Sequence, residues 1–475
     1  MYIPTALFNT LVGHASRMNG KLELMKHQRY ALACMSSMDH LGIFYEAGTG
    51  KTAIALMWLA KALREKRIKD ALIVCPSSLV ANWRASIERM IDFEGIMPED
   101  VDRLRNKVFV TSFRKIWRCE KTLHRHRNGQ MYETKRYVLT DPIDRYWGAI
   151  FIDESHALGG HSSAQTRACI TLAGLAPYRY IMTGTPVSGS TRTGGKDWQK
   201  LYGQVRFLNP SRWKTWTEFC EETVASYDQW YKPQRYREDV CEEIIESNGI
   251  FAKLEDCTDM PGFTDTAIPC ELAEKTVYKD VRRMCVEQYN IDPKTTTTTF
   301  IKLLQVCSGH LKDDDGDVLP LRTSKDDALK DVLEGTDDAV VVFCNFTASI
   351  DRCADIARKV GKRTVVFDGS RKMEGDEESW KVFQRGGADV IVIQYQAGGA
   401  GLDLFASHTM ILYEPCMSSL NMTQARARIY RKGQTERCRY IRLSTTGTIE
   451  EGVWENVLNG VDVTAKMLAQ LSISY

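Results

Sequence analysis

The sequence is defined first by what it lacks. Among its fourteen Cys there is no Cys-x-x-Cys pair, so a zinc ribbon, finger or RING is without its closely spaced thiolates. No apolar run approaches the ~20 residues that a membrane-crossing helix needs. Met1 to Met18 has no basic-then-apolar order and does not read as a secretory signal. Charge of one sign is missing too: Lys+Arg 63 against Asp+Glu 61 leaves a formal net charge of +2. Bulk charge therefore cannot hold a polyanion, and any such site must be a local patch. What remains is a chain of 475 residues, 43% hydrophobic, long enough for two or three folding units with buried cores. The expected setting is cytosolic, with most thiols reduced and packed as small hydrophobes.

Short apolar runs recur along the chain. In the first half they are Ala71–Cys75, Val108–Val110, Ala149–Ile152 and Tyr180–Met182. In the second half they are Ala339–Phe343, Thr364–Phe367, Val390–Ile393, Met410–Tyr413 and Tyr440–Leu443. They do not alternate polar with apolar, as expected of strands buried on both faces. Helical patterns lie between them, at Thr52–Lys66, Leu79–Met90 and Ala348–Val360 for example. Strand and helix in alternation predict an α/β fold with parallel sheets covered by helices. The alternation lapses between about Asn209 and Lys325. The reading is an N-terminal extension at 1–22, a first lobe at 23–212, a mostly helical insert at 213–324, and a second lobe at 325–475 ending in a helix. Inside the insert, Lys312-Asp-Asp-Asp-Gly-Asp317 lacks the spaced ligands of a calcium loop and reads as an acidic turn.

Two stretches carry chemistry. Glu46-Ala-Gly-Thr-Gly-Lys-Thr52 follows the apolar Leu41–Phe44 and opens a helix. Gly48 and Gly50, with Thr49 between them, would turn backbone N–H groups onto phosphates at a helix N-terminus. Lys51 would reach the β- and γ-phosphates, and the Thr52 hydroxyl would hold Mg²⁺. Tyr45 stands where the strict phosphate-loop pattern has its first Gly. About a hundred residues later, Phe151-Ile-Asp-Glu-Ser-His156 closes an apolar strand. Asp153 suits the second Mg²⁺ anchor, and Glu154 can polarise a water against the γ-phosphate. Together the two stretches read as a nucleoside triphosphatase using ATP and Mg²⁺.

The order of further elements makes a resemblance specific. Asp153-Glu-Ser-His156, then Thr183-Gly-Thr-Pro186, then Gln424-Ala-Arg-Ala-Arg-Ile-Tyr-Arg-Lys-Gly-Gln434 resembles the superfamily 2 helicases and translocases, and within them the SNF2 family. Lys26-His-Gln28, Val74-Cys-Pro-Ser-Ser-Leu79, Arg206-Phe-Leu-Asn-Pro210, Val342-Phe-Cys-Asn-Phe346, Ala397-Gly-Gly-Ala-Gly-Leu-Asp-Leu404 and Gly447-Thr-Ile-Glu-Glu451 are similar to other elements of that family. The resemblance runs from about Leu24 to Trp454. It departs at Gln394-Tyr-Gln396, where Ser or Thr is usual, at Asp403 in place of a frequent Asn, and at Glu414-Pro-Cys-Met-Ser418 in place of Trp-Asn-Pro.

The resemblance implies two RecA-like lobes with a helical insert, and a DNA motor that hydrolyses ATP in the cleft between them. It places Gln28 at the adenine and Asp403 with the nucleotide-binding residues. Arg428 and Arg431 become arginine fingers supported by Gln434. His156, Thr183 and Thr185 would couple the γ-phosphate to the nucleic acid. Contacts to the DNA backbone would come from Ser77, Trp83, Thr111 and Ser112 in one lobe and Asn345, Gly398 and Gly399 in the other. Trp83 suits either a stacking platform or core packing. The basic stretch Lys121 to Arg136, with Arg125 and Arg127, suits phosphate contact or a solvated hairpin. A minimal monomeric motor of this size resembles phage or bacterial ones, with replication, recombination or repair as the expected setting. A duplex translocase that leaves strands paired, an RNA helicase and an ATP-regulated DNA-binding scaffold are the rival readings.

Overall fold

A computed structural model describes residues 17–18, 21–125, 131–187, 196–257, 260–291, 297–313, 315–375, 377–398, 402–431 and 433–474. Two compact units divide them, with residues 197–257 in the first and residues from 260 onward in the second.

The first unit is built on six strands: β1 (His40–Tyr45), β2 (Ala71–Cys75), β3 (Val108–Ser112), β4 (Ala149–Asp153), β5 (Tyr178–Met182) and β6 (Gly249–Ala252). Their order in the sheet is β6-β1-β5-β4-β2-β3, and every pairing is parallel. Strands β2 and β4 are buried at every residue. Parallel strands need crossovers, and helices α1 (Lys26–Ser37), α2 (Lys51–Arg64) and α3 (Val80–Glu88) are among those that cover the sheet. The buried Trp58 fixes α2 in place. Its ring lies 5.8 Å from Phe151 and 5.0 Å from Tyr180, and its Nε1–H donates to Met35 O at 3.0 Å.

The second unit repeats the plan with β7 (Phe263–Cys270), β8 (Val340–Cys344), β9 (Thr364–Phe367), β10 (Val390–Gln394), β11 (Thr409–Leu412) and β12 (Cys438–Thr445). The order is β7-β12-β11-β8-β10-β9, again parallel throughout. Helices α4 (Thr347–Lys359), α5 (Ser419–Arg426) and α6 (Ile449–Leu458) are packed with it, and Ala465–Ser474 forms the expected C-terminal helix. Twelve of the fourteen Cys are buried thiols. Among the described residues no helix is long and apolar enough to cross a membrane.

The two α/β units are those the sequence predicts, whereas residues 213–324 do not form a unit of their own. Their helices are present, at Trp216–Thr223, Glu238–Ser247, Lys275–Ile291 and Thr297–Cys307. The segment nevertheless splits, because each sheet recruits an edge strand from it: β6 beside β1, and β7 beside β12. The acidic run at 312–317 is the turn of a hairpin that pairs His310–Lys312 with Val318–Pro320; Asp314 lies outside the described residues. The basic stretch is also a hairpin, with Trp117–Arg125 antiparallel to Met131–Leu139. Lys121 and Lys135 flank Glu133 at 3.3 and 3.8 Å, and both lysines are exposed. Most of the N-terminal extension lies outside the described residues.

Candidate nucleotide and nucleic-acid sites

In parallel sheets, ligands collect at the carboxyl ends of the strands. In the first unit the carboxyl ends of β1, β5 and β4 carry Glu46–Thr52, Thr183–Pro186 and Asp153–His156 in turn. The phosphate loop reaches α2 through Gly48 and Gly50, at φ 87° and 86°, a left-handed conformation that favours glycine. At Gly50 a Cβ would also sit 2.2 Å from Gln28 Nε2. Gln28 is buried, donating to Thr49 O at 3.0 Å while its Oε1 accepts Met25 N–H at 3.0 Å. His27 Nε2 also meets Thr49 O, at 2.8 Å. Gln28 thus braces the phosphate loop, with both ends of its amide engaged. Lys51 Nζ donates to Tyr45 O and Glu46 O at 2.7 and 3.1 Å, and the Thr49 hydroxyl donates to Glu46 O at 2.7 Å. Thr52 is the second residue of α2.

Asp153 ends β4 and is almost wholly buried, and its carboxyl is pushed up to about 6. Burial is the main cause and neighbouring Glu154 adds to it, while a hydrogen bond from Trp83 and the charge of Lys51 oppose the shift. Trp83 Nε1–H donates to Asp153 Oδ2 at 2.8 Å, and Glu154 N–H to Oδ1 at 3.0 Å. This corrects the expectation that Trp83 grips DNA: at 2% exposure it has no face left for a base. Thr111 and Ser112 end β3 with side chains 5% and 4% exposed, which leaves little hydroxyl surface for a phosphate. Ser77, after β2, is exposed as a backbone contact requires.

Glu154 has φ 52° and ψ 52°, a strained conformation for a residue with a Cβ. Its carboxylate lies 3.2 Å from His156 Nδ1, the same nitrogen is 2.9 Å from Thr183 Oγ1, and that oxygen accepts Thr185 N–H at 3.1 Å. The predicted coupling residues are therefore contiguous. Sequence reading missed Gln204, which closes the same edge: Ser155 Oγ donates to its Oε1 at 2.8 Å, and its Nε2 donates to Pro186 O at 2.7 Å. It also missed Leu254, just past β6, whose N–H donates to Glu46 Oε2 at 2.9 Å. Hard oxygen donors, the Thr52 hydroxyl and the Asp153 carboxylate beside a cradle of backbone N–H groups, fit a nucleotide carrying Mg²⁺.

In the second unit, α5 ends at Arg426, so Arg428 and Arg431 sit in the turn that follows rather than on a helix. They still converge, since both guanidinium groups donate to Leu402 O, at 3.4 and 3.0 Å. Arg431 also pairs with Asp403. Gln434 Nε2 donates to Ser407 O at 2.8 Å, and its Oε1 accepts Thr435 N–H and Glu436 N–H at 3.0 Å each. Its Nε2 also donates to Ile429 O at 3.3 Å, in the turn that carries the arginines. The departure at Glu414 has a structural role. Buried at the end of β11, Glu414 accepts from the N–H groups of Asn345 and Phe346 at 2.9 and 2.8 Å and from Ser349 Oγ at 2.7 Å. It caps α4, where a carboxylate is favoured.

Comparison with known proteins now decides the family. The SNF2-related domain matches residues 27–304, and the helicase conserved C-terminal domain matches 324–433. The chain belongs to the SNF2-related family. Among curated relatives it is similar to a chromodomain-helicase-DNA-binding protein 1-like of Danio rerio, 23% identical over 95% of this chain and 44% of that protein. It is also similar to the DNA repair protein rhp54 of Schizosaccharomyces pombe, 22% identical over 86% of this chain and 53% of that one. The chain thus spans about half the length of these relatives. Among solved structures, the Sulfolobus solfataricus SWI2/SNF2 ATPase core in complex with dsDNA aligns over 93% of this chain and 92% of that one, with 20% identity and a TM-score of 0.40.

Of the other nucleic-acid contacts expected of this SNF2-related chain, Asn345 follows β8 and Gly398 ends the short helix Tyr395–Gly398. Gly399 and Arg127 lie outside the described residues, as does the side chain of Arg125.

The Trp83–Asp153 bond has a measurable consequence. Only the ionised Asp153 can serve a cation, so MgATP binding should weaken as pH falls through about 6. Trp83→Phe removes a donor that favours the ionised form. We expect the acid limb to move upward by about one to two units, since a hydrogen bond to a charged group contributes ~1.5–3 kcal/mol. A pH titration of MgATP affinity measures it, and an unmoved limb would remove Trp83 from the site.

Proposed function

We propose that the chain is an ATP-driven motor on DNA, translocating along it and unwinding or remodelling it, in recombination, replication or repair. The observation that carries this reading is the contiguous path from Glu154 through His156 and Thr183 to Thr185, beside the phosphate loop. Lys51 and the loop N–H groups hold the phosphates. Glu154 takes the proton from the attacking water. Bound with the nucleotide, Mg²⁺ would stabilise charge on the phosphoryl oxygens. Arg428 and Arg431 are assigned to the transferring phosphoryl group, where a cation contributes ~10³ or more in rate. His156 faces both the catalytic carboxylate and Thr183, so a change at the γ-phosphate alters the hydrogen bonding of the loop that follows β5.

Steady-state ATP hydrolysis with no nucleic acid, single-stranded DNA, duplex, forked DNA and RNA tests the reading, with Lys51→Ala alongside. Stimulation by DNA over RNA is expected. Equal rates in every tube would end the motor hypothesis. Stimulation by duplex without strand separation would select the translocase.

A further inference from the structure

The carboxyl ends of β8 and β10 open onto a cleft of about 480 Å³, formed entirely within the second unit. Its polar lining is carboxamide and hydroxyl, the hydroxyls being those of Thr347 and Ser418. Five carboxamides line it, Gln305, Asn345, Gln394, Gln396 and Asn421, with Lys312 as the one cation among the described lining residues. Among the described residues the amides of Asn345, Gln396 and Asn421 make no hydrogen bond to protein. Gln394 and Gln396 are the residues that stand where the family usually has Ser or Thr. A hydroxyl there suits a phosphate oxygen; a longer amide brings a paired donor and acceptor.

A second observation concerns the charge of the lining. His310 lines the same cleft and is 4% exposed. Its ring stands edge-on to Phe346 at 5.2 Å. Burial lowers the imidazole to about 4, so it is neutral at pH 7. Neutral donors and acceptors, set against the apolar surfaces of Phe346, Met417 and Ile301, match the edge and face of a heterocyclic base.

We propose that this cleft receives one unpaired nucleobase of the bound strand, its edge read by the amides and its flanking phosphate met by Lys312. The inference rests on the DNA-motor reading and deepens it, because a backbone grip alone is blind to bases. The motor would then hold a base-bearing strand differently from a bare sugar-phosphate chain.

The test uses the full chain and fluorescence-anisotropy titrations of single-stranded oligonucleotides of equal length: the four homopolymers and an abasic strand. At least one homopolymer should bind ~10-fold or more tighter than the abasic strand. Gln396→Ala, at an exposed position, should lower that ratio, and Gln396→Ala with Asn421→Ala should bring it to within about threefold. Lys312→Ala should weaken all strands alike. Equal affinity for base-bearing and abasic strands, with DNA still stimulating hydrolysis, overturns the pocket and leaves the motor standing. A ratio that the exposed Gln396→Ala leaves untouched also overturns it, by placing base recognition elsewhere. No binding to any single strand overturns the pocket and leaves the motor reading to the hydrolysis assay with duplex DNA.

Discussion

Glu154→Gln is expected to bind ATP and to turn it over ~10²–10⁴-fold more slowly than the native chain. The substitution keeps the shape of the side chain and removes only its ability to accept a proton. The strained backbone at φ 52° is common to both residues, so the comparison is not confounded by relief of strain. His156 Nδ1, 3.2 Å from the carboxylate, can still donate to the amide oxygen, and the link onward to Thr183 survives. The loss should therefore appear in kcat, with nucleotide affinity near native by fluorescent-nucleotide titration. Lys51→Ala should lose both binding and turnover if, as proposed, the ammonium meets the phosphates before and during transfer. Native turnover in Glu154→Gln would remove Glu154 as the base. Loss of binding in that variant would show that the carboxylate shapes the loop instead.

What could be read from the sequence follows burial. Core strands such as Ala71–Cys75 and Val390–Gln394 are covered on both faces, and their unbroken apolar runs announce it. The edge strands give no such signal. Gly249–Ala252 is four residues long, and Phe263–Cys270 is mostly exposed and contains Pro269, which an edge tolerates. Missing them is what placed 213–324 in a separate insert. The site divides in the same way. Phosphate loop, acidic pair and Thr-Gly-Thr-Pro are local patterns whose spacing carries their chemistry. Trp83 reaches Asp153 across 70 residues and Glu46 reaches Leu254 across 208, and no local pattern records either pairing. Glu414 stood out as a departure, yet its function depends on Asn345, Phe346 and Ser349, up to 69 residues earlier. Arg428 and Arg431 converge on Leu402 O from a turn beyond the helix that ends at Arg426.

The second large effect concerns stability. Lys325 and Glu450 form an ion pair with side chains 0% and 1% exposed. Lys325 Nζ also donates to Tyr413 O at 2.9 Å, and Glu450 Oε2 accepts Thr445 N–H at 2.9 Å. The pair ties the start of Lys325–Glu334 to β12 and α6. Burial raises the Glu450 carboxyl, and the adjacent ammonium opposes that shift; burial likewise lowers Lys325, and Glu450 with Glu414 more than restores it. Each charge is thus tolerable only because of the other. Lys325→Met should destabilise the second unit by ~3–5 kcal/mol, since it strands a carboxylate without its cation. Lys325→Met with Glu450→Leu should recover much of that loss, because a packed apolar pair of similar volume has no charge to desolvate. Denaturant unfolding of the native chain, both single variants and the double variant measures this as a cycle. Additive losses would mean that the two side chains act independently, and that packing around them, rather than the pairing, holds this part of the second unit together.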